Sequence, residues 1–243
     1  MRILILGGTE EARLLAERLD AMGHAVISSL AGVTSTPLMP VVETRVGGFG
    51  GIEGLTTYLI RTRIERIVDA THPYAARIKT NAVLASEATG IRLVRYSRPE
   101  WQEPPGIDWI RATDGAEAAS LLPAGARALL TTGHTEIESF FARTDCSFVV
   151  RTIEPLTHRL PINAISILSR PPYFLSAELD LMTHQGISHL VSKNSGGVQT
   201  AAKLDAAAEL GIAVVMIDRP RLLPAPEAPT LGQVIAALRL DRP

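Results

Sequence analysis

The chain has 243 residues, 46% hydrophobic and 20% charged, with 24 Lys and Arg against 25 Asp and Glu, the balance of a folded globular protein and not of a disordered one. A net charge of -1 and one cysteine, Cys146, argue against a dedicated nucleic-acid binder, a disulfide framework and a multi-cysteine metal centre. The apolar run at residues 1–7 is too short for a signal segment and no later run approaches the roughly 18 apolar residues of a membrane span, so the expectation is a cytoplasmic protein with no membrane partner.

Short, apolar, β-rich runs alternate with amphipathic windows along the whole sequence, the signature of βαβ units. The first series predicts strand 2–6, helix 10–22, strands 25–30 and 41–46, helix 52–63, strand 66–70, helix 75–89 and strand 91–94. After a proline-rich break near 100–107, a second series predicts strand 108–111, helix 115–122, strand 127–131, helix 136–141, strands 147–150 and 164–168, helix 173–184, strand 189–191, helix 198–210, strand 214–217 and helix 231–238. The strands read as buried on both faces, which points to parallel sheets covered by helices. The predicted fold is α/β, with two Rossmann-like domains of mainly parallel sheets, 1–104 and 105–243, and a cleft between them. The partner of the last strand is not fixed by the pattern. The prolines at 220, 224, 226 and 229 mark a C-terminal loop.

Three polar strand exits carry the chemistry. At the first, Gly7, Gly8, Thr9 and Glu10 fall where a dinucleotide site has its phosphate turn: glycines admit a phosphate to backbone amides, and Thr9 can donate at the helix N-terminus. The motif is not a full G-x-G-x-x-G, and a tight turn capped by Thr9 is the simpler alternative. The following strand ends in Ser28, Ser29, Leu30 and Ala31, with no acid to pair a ribose; hydroxyls tolerate an added phosphate, which favours NADP over NAD. Arg45 or Arg13 is the candidate cation for it. The second exit, Asp69-Ala70-Thr71-His72-Pro73-Tyr74, offers a histidine that titrates near neutrality and a proline that starts a helix. The third, Lys193-Asn194-Ser195-Gly196-Gly197, makes a cationic, donor-rich turn suited to an anion, or a capped turn with a solvated lysine. Arg95 and Arg98 around Tyr96 can clamp carboxylates or serve as a linker. Thr131, Thr132, Gly133 and His134 form a further polar exit, and Arg151 ends the next strand. No zinc motif and no nucleophile elbow occurs, so no metal is expected.

Taken together, I-L-I-L-G-G-T-E-E-A-R from Ile3, D-A-T-H-P-Y-A from Asp69, R-Y-S-R-P-E-W from Arg95, T-T-G from Thr131, K-N-S-G-G from Lys193 and V-V-M-I-D-R-P ending at Pro220 resemble the precorrin-6A reductase family of cobalamin biosynthesis. The resemblance runs along nearly the whole chain. It implies two Rossmann-like domains and an NADPH-dependent reduction of one carbon-carbon double bond of the precorrin-6A macrocycle. The family's phosphate turn carries over to Gly7, Gly8 and Thr9 and its cleft lining to the Asp69 and Lys193 blocks; with the strand-end reading above, the expected cofactor site is Gly7, Gly8, Thr9, Glu10, Ser28, Ser29, Ala31, Thr71, His72 and Pro73. The tetrapyrrole, rich in carboxylates, is then expected to meet Arg95, Arg98, Thr132, Gly133, Arg151, Lys193 to Gly197 and Arg219. His72, Tyr74 and Lys193 are the catalytic candidates, with His134 or solvent as other proton sources. Handover contacts with neighbouring pathway enzymes are a further expectation. A cobalt-containing substrate, a methyltransferase and a non-catalytic NADP-binding module are the rival readings. A short-chain dehydrogenase is disfavoured, because no Tyr-x-x-x-Lys pair occurs.

Overall fold

The computed structural model describes residues 1–32, 41–134, 136–156 and 159–239. The chain forms two compact units: one from Met1–Pro99 together with Pro220–Pro243, the other from Glu100–Arg219. Among the described residues, no helix is long and apolar enough to cross a membrane.

In the first unit, β1 (Arg2–Leu6), β2 (Ala25–Leu30), β3 (Glu43–Val46), β4 (Arg66–Asp69) and β5 (Arg92–Tyr96) are joined by α1 (Glu10–Ala21), α2 (Gly51–Arg61) and α3 (Ala76–Thr89). The strands are parallel and lie in the order β3-β2-β1-β4-β5. Strand periodicity explains why β1 is apolar throughout. Ile3 and Ile5 pack against Leu15 and Leu19 of α1 on one face, while Leu4 and Leu6 meet Leu55 and Leu59 of α2 and Ala82 and Val83 of α3 on the other. Side chains that alternate between two covered faces leave no polar position.

The second unit holds β6 (Ile110–Ala112), α4 (Gly115–Ser120), β7 (Arg127–Leu130), α5 (Glu138–Phe141), β8 (Ser147–Thr152), β9 (Ala164–Leu168), α6 (Leu175–His184), β10 (His189–Lys193), α7 (Ala202–Glu209) and β11 (Ala213–Ile217). Its six parallel strands run β6-β11-β10-β7-β8-β9. The predicted helix 198–210 is divided: a 3-10 turn at Val198–Thr200 precedes α7, and the Gln199 carbonyl accepts from the Tyr173 amide at 2.9 Å.

Beyond β11 the chain departs from expectation. Residues 220–243, assigned from sequence to the second domain, cluster with the first unit. There β12 (Glu227–Ala228) pairs with β5 in parallel register, Glu227 opposite Arg95, and α8 (Leu231–Arg239) lays Val234 and Leu238 into the α1 side of the core. A two-residue strand among prolines has no period to read, and proline is tolerated at a sheet edge because it needs no ladder donor.

A buried ion network fixes this crossing. Asp69, at the end of β4, is fully buried. Its carboxylate accepts from Lys79 Nζ at 3.2 Å, Arg95 Nε at 3.1 Å, Thr71 Oγ1 at 2.7 Å and the Thr71 amide at 3.2 Å. Arg95 Nη1 continues to Glu227 Oε1 at 3.0 Å and the Leu223 carbonyl at 3.2 Å. Burial pushes the Lys79 ammonium below its ordinary pKa, and Asp69 opposes that shift. Removing the shared anion leaves two cations in the core, so Asp69→Ala is expected to lose about 3–5 kcal/mol in urea unfolding. Glu227→Ala, which removes a partner 46% exposed, should lose about 1 kcal/mol or less; equal losses would show that burial does not set the weight of these pairs.

Candidate functional site

In an open parallel sheet, ligands collect outside the carboxyl ends of the two strands from which the winding runs in opposite directions. In the first sheet these are β1 and β4, and two of the predicted exits meet there. The Thr9 hydroxyl donates to the Ala70 carbonyl at 2.8 Å and accepts from the Ala12 amide at 3.2 Å as N-cap of α1. In this structure the hydroxyl is a tie between the exits, in the capping role that the sequence also offered. Gly7 permits the close approach of strand and helix, since a Cβ there would lie 3.3 Å from Ala12 Cβ. Gly8 has φ +103° and open space where its side chain would be, a conformation that costs an L-residue strain.

Beside this turn lies a cavity of about 380 Å³, lined by Gly7, Ser29, Ala31 and Thr71 from the predicted set and by Phe49 and Arg77 among others. Its volume suits part of a nucleotide. Ser28 and Ser29 are buried, and Arg45 on β3 stands opposite Ser29. The Arg45 guanidinium donates to Ser29 Oγ at 2.7 Å and to the Gly47 and Gly48 carbonyls at 2.9 and 3.0 Å, and its Cζ lies 3.8 Å from the Phe49 ring centroid. All these partners are neutral. Arg13, the other candidate, is paired with Glu17 at 2.7 Å on the surface of α1. Arg77, exposed on the first turn of α3, was not singled out from sequence; its placement eight residues after Asp69 was the available signal.

The other predicted residues of this unit fall outside the cavity lining. Glu10 is exposed at the start of α1. His72 is exposed, its Nδ1 accepts from the Tyr74 amide at 3.3 Å, and the two rings are 5.7 Å apart. Pro73 borders a small recess that includes Arg98, whose Nη1 is 2.6 Å from Glu11 Oε1. Arg95, expected as a carboxylate clamp, is 2% exposed and already committed to Asp69 and Glu227. A buried guanidinium with its own carboxylates is a structural pair, not a receptor.

In the second sheet the corresponding strands are β7 and β10, followed by Thr131, Thr132 and Gly133 and by Lys193 to Gly197. Lys193 is 7% exposed, with Nζ 3.7 Å from Glu136 Oε1; burial lowers its pKa while Glu136 acts the other way. Asn194 is turned into the protein. Its Oδ1 accepts from the Trp101 amide at 2.9 Å, and its Nδ2 donates to Glu100 Oε2 at 3.2 Å and the Trp101 carbonyl at 3.3 Å. The Trp101 indole donates to the Gly197 carbonyl at 3.2 Å, and Arg219 donates to the carbonyls of Asn194 and Ser195 at 2.9 and 3.2 Å. Asn194 and Arg219 thus knot the β10 exit to both ends of the unit. Arg151, also expected to meet substrate, is buried, paired with Glu178 and stacked 4.0 Å over the Tyr173 ring. The Thr132 hydroxyl is buried with no partner among the described residues. No group of three or more His, Cys, Asp or Glu placed to hold a metal occurs among them.

Residues 2–239 match the family model described as precorrin-6x reductase CbiJ/CobK. A precorrin-6A reductase of Rhodococcus erythropolis is 47% identical over 98% of this chain and 96% of its own length. The solved structure of a CobK precorrin-6A reductase superposes with a TM-score of 0.93 at 38% identity, covering 98% of this chain and 96% of that one. A cobalt-precorrin-6A reductase of Priestia megaterium is 28% identical over 97% of both chains.

The Asn194 knot can be tested without any ligand. Asn194→Ala removes the acceptor of the Trp101 amide and should lower stability by about 1–3 kcal/mol, from the unsatisfied donor it leaves, with a red shift of tryptophan emission. An unchanged emission maximum would mean that packing alone holds Trp101.

Proposed function

The chain belongs to the precorrin-6x reductase family, and from that membership we propose that it takes hydride from NADPH and delivers it to one carbon-carbon double bond of precorrin-6A in cobalamin biosynthesis, giving precorrin-6B. NADPH, when bound, supplies the hydride, and a proton reaching the neighbouring carbon completes the product.

The observation that favours NADPH over NADH is the Arg45 guanidinium beside Ser29, at the strand ends where a dinucleotide fold meets the adenosine ribose. A carboxylate there would bind the ribose hydroxyls of NAD and repel a phosphate; an arginine held by neutral oxygens welcomes one. Gly7 and Gly8 leave the start of α1 open to a pyrophosphate, and Arg77, from α3, is a cation in the lining of the cavity.

Hydride transfer depends on alignment at contact distance more than on an acid or a nucleophile. His72 and Tyr74, at the β4 exit, can deliver the proton, and solvent can do the same. Metal-free precorrin-6A is the substrate in this reading; the higher identity to the relative named for precorrin-6A than to the one named for its cobalt form supports that choice.

Anaerobic incubation with precorrin-6A and NADPH should give a product two hydrogens heavier with matching loss of nicotinamide absorbance, while NADH works poorly. Failure with precorrin-6A but turnover of the cobalt complex would reassign the substrate. Arg45→Met should raise KM for NADPH roughly tenfold to a hundredfold, from the loss of a charge-assisted contact, and leave the NADH reaction unchanged; equal effects on both would remove Arg45 from phosphate recognition. His72→Ala should lower kcat only partly, and complete loss with intact cofactor binding would make His72 the essential acid.

A further inference from the structure

The second unit keeps a cation that nothing in the site above uses. Lys203, on the first turn of α7, is 4% exposed. Its Nζ donates to Thr131 Oγ1 at 3.1 Å, and that hydroxyl passes its own proton to the Val191 carbonyl at 3.0 Å. The ammonium also lies 5.1 Å from the Trp101 ring centroid. Among the described residues no carboxylate lies within ion-pair distance of it. The charged groups bearing on it are Arg151 of β8 and Glu178 of α6, which pair with each other; Thr131, just after β7, and Trp101 contribute neutral contacts, and Tyr173 lies under Arg151.

Two cations against one carboxylate leave this buried cluster with one positive charge in excess. Arg151 Nη2 and Glu178 Oε2 are also buried without partners among the described residues. An excess charge out of water is unstable unless an anion meets it or the group gives up its proton. Lys203 shows the second outcome: burial, and then the nearby Arg151, bring its pKa down to about 7, against the pull of Glu178.

Exposed apolar side chains stand at this edge of the sheet, beside the Arg170–Glu154 ion pair. Val198 after β10, Leu168 at the end of β9, Phe174 before α6 and Ile153 after β8 are all exposed, and all stand at the carboxyl edge of the sheet, where open α/β sheets bind ligands. Exposed apolar side chains on the same sheet edge as a buried excess of positive charge complement a flat, largely apolar ring with carboxylate arms.

We infer that Lys203 is the counter-charge for one carboxylate of the macrocyclic substrate, whose ring packs on the apolar edge formed by Val198, Phe174, Leu168 and Ile153. This rests on the tetrapyrrole reading above. A lysine suits the role because its flexible four-carbon stem can carry the ammonium toward the edge. A carboxylate arriving beside it favours the charged form, so above about pH 7 substrate binding takes up a proton. The unliganded protein carries the opposite signature. The folded pKa of Lys203 lies below its ordinary value of 10.5, so the unfolded chain holds the extra proton and stability rises with pH from about 7 to 10.5.

The test is calorimetric titration of precorrin-6A into the protein, anaerobically and without nicotinamide, at pH 8 in two buffers of different ionisation enthalpy. Wild type should take up close to one proton. Lys203→Met should take up none and bind roughly tenfold or more weakly, by the loss of a charged contact, with NADPH binding unchanged and the stability gain between pH 7 and 10 reduced. Lys203→Gln replaces it if the methionine variant does not fold. Wild-type binding without proton uptake, or uptake and affinity retained in the variant, overturns the inference while leaving the reductase reading intact. A wild-type protein that neither binds nor reduces the macrocycle overturns both.

Discussion

The first sheet depends on one buried carboxylate. Asp69 accepts from Lys79, Arg95 and Thr71, and each donor belongs to a different task. Thr71 shapes the β4 exit that borders the cavity, Lys79 fixes α3 behind that exit, and Arg95 reaches outward to Glu227 and the Leu223 carbonyl in the returning C-terminal segment. Taking Asp69 out of water is costly, and only a full set of donors offsets that cost. The consequence is that one carboxylate ties together the exit loop, the helix after it and, through Arg95, the edge strand.

That coupling matters because the first sheet is not finished by a continuous stretch of chain. Both contain the five-strand order 3-2-1-4-5, and each adds a sixth strand at the same edge. In the first sheet the sixth strand is β12, which comes after the whole second unit; in the second it is β6, which comes before that unit's own β7. The β12 pairing spans more than a hundred residues, so its loop entropy must be offset by specific contacts. Two residues of strand contribute little, and the Arg95 to Glu227 bridge and the apolar face of α8 supply the rest.

The sequence made the alternation of elements readable because strands buried on both faces have no polar position and helices have one. The exits were readable for a related reason: a glycine or a hydroxyl at the end of an apolar strand has few uses other than a turn, a cap or a ligand. What sequence could not resolve was the state of each cation. Arg45 and Arg95 both sit at strand ends beside aromatic residues, yet the partners of Arg95 are a neighbour-strand aspartate and a glutamate 132 positions away. Arg151 finds its carboxylate on α6, 27 residues on. Lys203 lies in an alanine-rich helix and was not singled out from sequence; packing against Trp101 and Thr131 buries it. Thr9 was assigned a ligand role although the simpler capping role was equally visible, and the cap is what forms.

The cations of this molecule divide by what holds them. Arg95, Arg151 and Lys79 are met by carboxylates, so their charge is cancelled within the fold and their work is cohesion. Arg45 is met by a serine hydroxyl, two backbone carbonyls and an aromatic face, all of which orient the guanidinium without neutralising it. A guanidinium so oriented and left without a counter-charge suits a phosphate. Lys203 is likewise held by a neutral hydroxyl, but in a place dry enough to make its charge conditional. A permanent cation gives an affinity that hardly varies with conditions; a conditional one ties charge to occupancy. The neutral partner, more than the cation itself, is what distinguishes a receptor from a structural pair.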